Sequence, residues 1–572
     1  MKYELINQRD PSLNVVGQIL VNRGIKHADL NHYLHTTQKD MNSPFDLKNM
    51  ESAVRLVEEH INNGHIFIQV DSDVDGFTSA SMLYNYIKLY NKDAKVSYRV
   101  HPVKEHGVKL HYLEELEDYP TLVIIPDAGS DQLEEHKCLS NMGIECVVLD
   151  HHEVDRESEY AIVVNNQSCD YSNKNLSGAG IVYQFCRAFD EIFNINNADE
   201  FVDLAAIGCV ADMVDVRDFE TRYLINKGIN NINNALILSL IEKQSYSLKD
   251  GVTPLNISFY VAPLINAVIR VGTLEEKTKM FESMLDENKN LLVASTKRGF
   301  NGMEESLIEQ VSRESGNIKN RQTRLRDSGL EEIEKIILKN NLDKNKIILV
   351  KTDDILEKSL TGLVANQLMF KYQKPVLLLR GTSNENLEGS ARGYDKSELN
   401  ELRKFLLESG YFEYAKGHQC AFGCGIKGTK VDEFIEYSNK ALAELDFDPR
   451  YLVDFVFSSS EVTHADILDI AGLANTWGKG MEESEILIKG IRLTTDNITL
   501  LEKGPTLKLT PNNGITYIKF KCPIELYNSL KSEGYVLVDI IGRCSVNNFN
   551  GAMEPQVIIS DIEVVEKVNY YF

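Results

Sequence analysis

Short apolar runs that end in acids constrain this chain most. His65-Ile-Phe-Ile-Gln-Val70 runs into Asp71, Thr121-Leu-Val-Ile-Ile125 into Pro126-Asp127, and Glu145-Cys-Val-Val-Leu149 into Asp150, with a fourth run at 94–100. Helical patterns such as 77–90 lie between them. Near-continuous apolar strands alternating with helices predict a parallel sheet covered on both faces. Such sheets bind ligands beyond the carboxyl ends of their strands, where three of the four runs place an aspartate.

The rest of the chain divides by pattern. Residues 1–60 read as short helices, and 204–210 as a helix ending at Ala211-Asp212. Residues 275–341 are charged and helix-prone, with Arg313, Lys319, Arg321, Arg324 and Arg326, and suggest a connector rather than a core. A second strand and helix unit runs from 346–350 through 362–372 and 375–379 to a glycine-rich segment at 417–425. Beyond about 449 come short β-like runs (486–491, 515–520, 536–541, 556–562) with turns such as Pro511-Asn512-Asn513-Gly514, which suggest a small all-β barrel. The expectation is an α/β multidomain chain: a parallel-sheet domain with N-terminal helices at 1–272, a helical connector at 273–341, a second α/β domain at 342–448 and a β-barrel at 449–572. A length of 572 residues, 43% of them hydrophobic, suits that number of cores.

Compartment follows from absences. Residues 1–20 lack an apolar signal core, no apolar stretch approaches the ~20 residues of a membrane span, and nine scattered cysteines include no CxxC pair. A soluble cytoplasmic protein with reduced thiols is expected. The net charge of −24 argues against a nucleic-acid binder, but a whole-chain sum leaves room for a basic groove inside an acidic protein.

Asp71-Ser72-Asp73-Val74-Asp75-Gly76 sets three alternate acids at a strand end. An EF-hand loop begins the same way, yet it needs a bidentate Glu at its twelfth position, here Met82, and a preceding helix where this chain has a strand. Asp127, Asp150-His151-His152 and Asp212 join the same sheet edge. Singly, each acid reads as a helix cap and each histidine as a turn residue; together they form a carboxylate and imidazole set that suits Mn²⁺ or Mg²⁺. Two such cations about 4 Å apart serve phosphodiester hydrolysis.

The ordered set of D-x-D-x-D-G, Asp127-x-Gly129, Asp150-His-His and Gly208-x-x-Ala-Asp212 resembles the motifs of the DHH phosphoesterase superfamily. Gly389-Ser390-Ala391-Arg392 and Lys416-Gly-His418-Gln-Cys-Ala-Phe-Gly423 resemble its DHHA1 domain, and Pro263-Leu-Ile-Asn-Ala-Val-Ile-Arg270 resembles the RecJ branch. The terminal region, with Asn547-Asn-Phe-Asn-Gly551, resembles that branch's OB-fold. The resemblance implies a 5′→3′ exonuclease on single-stranded DNA, acting in repair, recombination or replication with two divalent cations, Mn²⁺ or Mg²⁺. It implies a monomer off the membrane, with a helicase or single-strand-binding protein as partner. Carried over by position, Asp73, Asp75, Asp127, His151 and Asp212 would hold the metals, with Asp127 or Asp212 as bridge. His152 would face the scissile phosphate and Arg270 neutralise it. Lys104, Ser390, Arg392 and His418 would bind the strand, and Asp71 and Asp150 would orient the ligands.

Departures are few. Gln69 stands where some relatives carry a histidine. The segment from Pro102 to Gly107 is one residue short, with Lys104 for arginine, and Lys416 replaces a glycine. Ser177-Gly178-Ala179-Gly180 reads either as a phosphate cradle or as close helix packing. The basic residues of 313–326 read as a solvated face or a nucleic-acid track, and Tyr517, Phe520 and Phe549 as barrel core or base-stacking platforms. A phosphodiesterase for short oligonucleotides or cyclic dinucleotides, and an inert replication scaffold, are the alternatives.

Overall fold

The computed structural model describes residues 1–569, apart from 250, 301, 383–384, 395, 449, 502–503 and 550–551. The apolar runs form strands β1 (His65–Val70), β2 (Lys95–Val100), β3 (Leu122–Pro126) and β4 (Glu145–Asp150), joined by an unexpected β5 (Ile162–Asn165). All pair in parallel in the order β2-β1-β3-β4-β5. Every residue of β1 and β3 is buried, as a sheet covered on both faces requires. Helices α1 (Val74–Tyr90), α2 (Gly178–Phe193) and α3 (Val202–Ala211) complete the centre of this unit. Helix α1 starts three residues earlier than its apolar pattern, because the Asp73 carboxylate accepts from Gly76 N at 2.9 Å and caps it.

Helix α4 (Ala262–Val271) leads to α5 (Leu274–Glu282), a short hairpin, and the 33-residue α6 (Leu307–Lys339). The expected connector therefore holds this one long helix in its second half, and the helix is also core. Ile308, Val311 and Ile318 sink into the first domain's interior, while Ile333 and Ile337 enter that of the second α/β unit. The stretch Pro254–Val271 is long and apolar enough to cross a membrane by composition, which the sequence reading did not expect; half of it is buried within the fold.

The second α/β unit holds a five-stranded sheet in which Ile348–Lys351 and Val376–Gly381 run parallel. The strands Asn386–Arg392, Ala421–Lys427 and Phe412–Gly417 continue it antiparallel. The C-terminal β region is one seven-stranded sheet whose edges are Phe455–Ser458 and Ile498–Leu501. Among the described residues no ladder joins those edges, so the strand pairing is that of an open sheet and does not by itself close the OB-like barrel expected. The register of the long terminal hairpin shifts between Leu537 and Val538 and between Ile541 and Gly542.

Several contacts tie this region to the first domain, two of them close to the sheet edge and the acids. Arg23 reaches Asp454 with two hydrogen bonds of 2.8 and 3.0 Å, and Val216 N donates to Lys479 O at 3.0 Å.

Candidate metal centre

The sheet's carboxyl edge gathers the acids. Asp71, just past β1, accepts from His106 Nδ1 at 2.7 Å and Gly107 N at 2.9 Å. Asp75 lies in the first turn of α1 and meets the start of α2. Its Oδ1 accepts from Ser177 Oγ at 2.8 Å and Ala179 N at 3.1 Å, and its Oδ2 from Gly178 N at 2.7 Å. A helix N-terminus favours the anion there. Asp127 follows β3 with φ of 65°, a left-handed conformation that costs a non-glycine residue about 1–3 kcal/mol. It is 1% exposed, and its Oδ1 has no hydrogen-bond partner among the described residues. Asp212 closes the C-terminus of α3.

His151 joins these groups. Its Nε2 lies 3.2 Å from Asp127 Oδ1, 3.8 Å from Asp212 Oδ2 and 3.9 Å from Asp75 Oδ2. Three overlapping sets bring ligand atoms within 4.8 Å of one another: Asp75, His151 and Asp212; Asp71, Asp73 and Asp127; and Asp127, Asp150, His151 and His152. Asp150, a member of the third set, is itself held by donors. It accepts from Ser130 N at 3.1 Å, His151 N at 2.7 Å and His152 Nδ1 at 2.7 Å. All five ligand positions carried over thus sit in one cluster with the two expected orienting acids. Gln69 is not part of it; its amide donates to Arg99 O and faces His101.

The cluster is electrostatically incomplete. Burial, then the neighbouring carboxylates Asp75, Asp73 and Asp71, hold the Asp127 carboxyl well above its ordinary value. Burial and the charges of Asp75 and Asp73 push Asp212 up to about 8. Burial lowers His151, which keeps the imidazole neutral and able to ligate. Mutually repelling buried carboxylates, a buried carboxylate oxygen without a donor and a neutral imidazole form a donor set that fits hard divalent cations such as Mn²⁺ or Mg²⁺.

Cations face the cluster. Lys104 lies near Arg270, Asp73, Asp71 and Arg392, and burial followed by the Arg270 charge lowers its ammonium. Arg270, from α4, feels Asp73 as its opposing charge. Arg392 donates to Ala391 O and packs against Gly362, where an added Cβ would lie 2.5 Å from Nη2. Among the described residues, none of these three forms an ion pair with a protein carboxylate. Ser390 shares the strand of Arg392, its Oγ on the same Gly362 side. His418 sits exposed in the turn between Phe412–Gly417 and Ala421–Lys427.

Other expectations resolve differently. The amides of Gly178 and Ala179 serve a protein carboxylate, so the segment 177–180 is a carboxylate cradle rather than a phosphate cradle. An added Cβ on Gly178 would sit 2.3 Å from Asp127 Oδ1. Gly178→Ala is therefore expected to weaken Mn²⁺ binding about tenfold or more, read by calorimetric titration, with folding retained by circular dichroism. Arg313 and Arg321 of the basic stretch are matched by Glu305 at 2.7 Å and Glu276 at 2.8 Å. Tyr517 is fully buried and is core, Phe520 is 61% exposed, and the Phe549 side chain lies outside the described residues. His106, Ser130 and Ser177 hold the acids but were missed by sequence reasoning. His106 and Ser177, both inside segments already singled out, left a usable signal, and Ser130 left none.

The comparisons agree with this architecture. Residues 65–209 match the model of the DHH family, N-terminal domain. The chain is 39% identical to a protein named putative SPbeta prophage-derived single-strand DNA-specific exonuclease YorK, from Bacillus subtilis, over 99% of this chain and 98% of that one. It is 27% identical to the single-stranded-DNA-specific exonuclease RecJ of the same organism, over 96% of this chain and 68% of that one. The solved structure of RecJ from Thermus thermophilus in complex with Mn²⁺ superposes with a TM-score of 0.71 at 18% identity, covering 99% of this chain and 80% of that one. Its Mg²⁺ counterpart gives 0.65 at 17% identity, covering 100% and 79%. With a sheet edge built to hold divalent cations and an end-to-end likeness to YorK, the chain belongs to the RecJ-like family of single-strand DNA-specific exonucleases, built on a DHH domain.

Proposed function

We propose that this protein hydrolyses single-stranded DNA from its 5′ end, 5′→3′, to 5′-mononucleotides, in DNA repair, recombination or replication. One observation carries the reading: in a chain of net charge −24, Lys104, Arg270 and Arg392 stand by the metal cluster with no acid partner among the described residues. Lys104 is exposed and Arg270 and Arg392 half-buried, so all three are open to an incoming anion that would match them, and a polyanionic backbone is such an anion.

Asp73, Asp75, Asp127, His151 and Asp212 would hold two cations, with Asp127 or Asp212 between them. Two divalent cations there supply Lewis acidity toward the phosphate and a water that is nucleophilic at neutral pH. Everything else falls to the chain. Asp71 and Asp150 fix neighbouring groups through His106 and His152. His152, held by Asp150, presents a protonated imidazole to a non-bridging phosphate oxygen. Arg270 matches charge that builds on the phosphate during attack. Ser390, Arg392 and His418 hold the strand's terminal or neighbouring phosphate, with Lys104 as a point charge where relatives offer a guanidinium fork. The C-terminal sheet, read as OB-like, holds the strand farther out, where exposed Phe520 suits base stacking. We place the protein in the cytoplasm, where nine cysteines that form no disulfide among the described residues are at home, as a monomer served by a helicase or single-strand-binding protein.

Single strands labelled at either end, incubated with Mn²⁺ or EDTA, test the reading. Stepwise mononucleotide release from the 5′ end with Mn²⁺ alone is expected. Release from the 3′ end would reverse the polarity. Cleavage of only very short oligonucleotides would move the activity to small substrates, and binding without cleavage would make the chain a scaffold.

A further inference from the structure

We propose that Lys479, carried by the C-terminal sheet domain, is a strand-positioning residue of the metal cleft, its ammonium holding a backbone phosphate of the single strand beside the one being cut. The inference deepens the nuclease reading and rests on it.

The placement is built by the backbone. Gly478 N donates to Met481 O at 3.0 Å and Met481 N to Gly478 O at 3.1 Å, so Lys479 and Gly480 form the tip of a two-residue turn. Gly480 has φ of 80°, as such turns require. The tip docks three residues after Asp212: Asp215 bridges to Lys479, and Val216 N donates to Lys479 O at 3.0 Å. The fit tolerates no side chain at either glycine. A Cβ on Gly480 would lie 2.3 Å from Asp215 Oδ1, and one on Gly478 2.9 Å from Val216 Cγ1.

Docking uses the Lys479 carbonyl and leaves its side chain exposed. Asp215, the neighbouring acid, is taken by Arg217, whose Nε donates to it at 2.9 and 3.0 Å. Among the described residues the Lys479 ammonium therefore has no ion-pair partner. It is near enough for its charge to be felt at Asp212 of the metal cluster and at His418 of the second α/β unit. Lys104, Arg270 and Arg392 supply cations from the other parts of the chain, and Lys479 adds one from the C-terminal domain. A compact ammonium on a flexible stem suits a phosphate that passes on after each cut.

Lys479→Gln is expected to raise KM for a single strand about 3–10-fold near physiological salt, with kcat within about twofold. It should flatten the plot of log affinity against log salt by about 0.7, the loss of one phosphate contact. Lys479→Arg should restore both. The melting temperature should not move, since the dock is made by main chain. If Lys479→Gln does melt early, the comparison passes to Lys479→Met and Lys479→Arg, which share the backbone: a lower salt slope in the Met variant alone sustains the role. Equal slopes, or a parental KM in Lys479→Gln, would overturn it. A parent protein that neither binds nor cuts single strands would instead sink the nuclease reading itself.

Discussion

Asp127→Asn is expected to melt about 2–4 °C higher than the parent in EDTA and yet to lose about a thousandfold or more in kcat with Mn²⁺. Both effects come from one oxygen pair. In the chelated protein, the buried Asp127 carboxylate meets Asp75, Asp73 and Asp71 with no cation between them, and its Oδ1 finds no donor among the described residues. A carboxyl whose folded pKa is raised costs stability once it ionises. That cost begins as pH climbs past the unfolded value near 4 and is complete only above the folded value. The chelated parent should therefore lose stability from pH 5 to 8, the range through which Asp212, pushed up to about 8, also titrates. The Asn variant should show a shallower fall, so its advantage grows with pH.

Mn²⁺ reverses the sign, because cations compete with protons for the same oxygens. The parent should gain melting temperature with Mn²⁺, more at pH 8 than at pH 5, and Asp127→Asn should gain little. Scanning calorimetry at pH 5, 6, 7 and 8, with Mn²⁺ or EDTA, reads all of this. A parent that melts identically in both would remove Asp127 from any metal site.

How much of this was legible in the sequence depends on which residues carry the signal. Strands β1 to β4 were readable because a strand covered on both faces must be apolar along its length, and the acids were readable because they interrupt that run at one end. Strand β5 was not, since four residues with only Val164 and Asn165 buried make no distinct run. The cluster's ligands lie in motifs, but only some of their supports do. Ser177 and Gly178 reach Asp75 across about a hundred residues, and nothing local distinguishes a glycine that makes room for Asp127 from one that packs a helix. Helix α6 read as solvated because its apolar residues are sparse, yet one stripe enters two cores in succession. The open edges of the C-terminal sheet were hidden too. Alternation reports which face of a strand is buried, and it is silent on whether the last strand finds the first.

His152→Ala should cost about a hundredfold or more in kcat with Mn²⁺ affinity nearly unchanged, which would separate it from the ligand His151. The separation is built into the Asp150 side chain. Burial alone would raise that carboxyl, but the hydrogen bond and charge of His152, with bonds from Ser130 N and His151 N, pull it well below the ordinary range. In return the Asp150 bond, with help from Asp212 and Asp73, pushes His152 up to about 9. Cations bound to Asp212 and Asp73 would cancel that help and bring His152 lower, leaving the 2.7 Å Asp150 bond as its main support. A His raised above its unfolded value keeps its proton below that value and loses it as pH passes through the folded one. If the imidazolium is the active form, kcat should decline on the alkaline side between pH 7 and 9. Asp150→Asn keeps an acceptor for the backbone donors but removes the negative charge, so it should move that decline about one pH unit or more toward acid. An alkaline limb that stays in place in Asp150→Asn would assign it to another group. A His152→Ala enzyme with parental kcat would leave the phosphate to Arg270 and the cations.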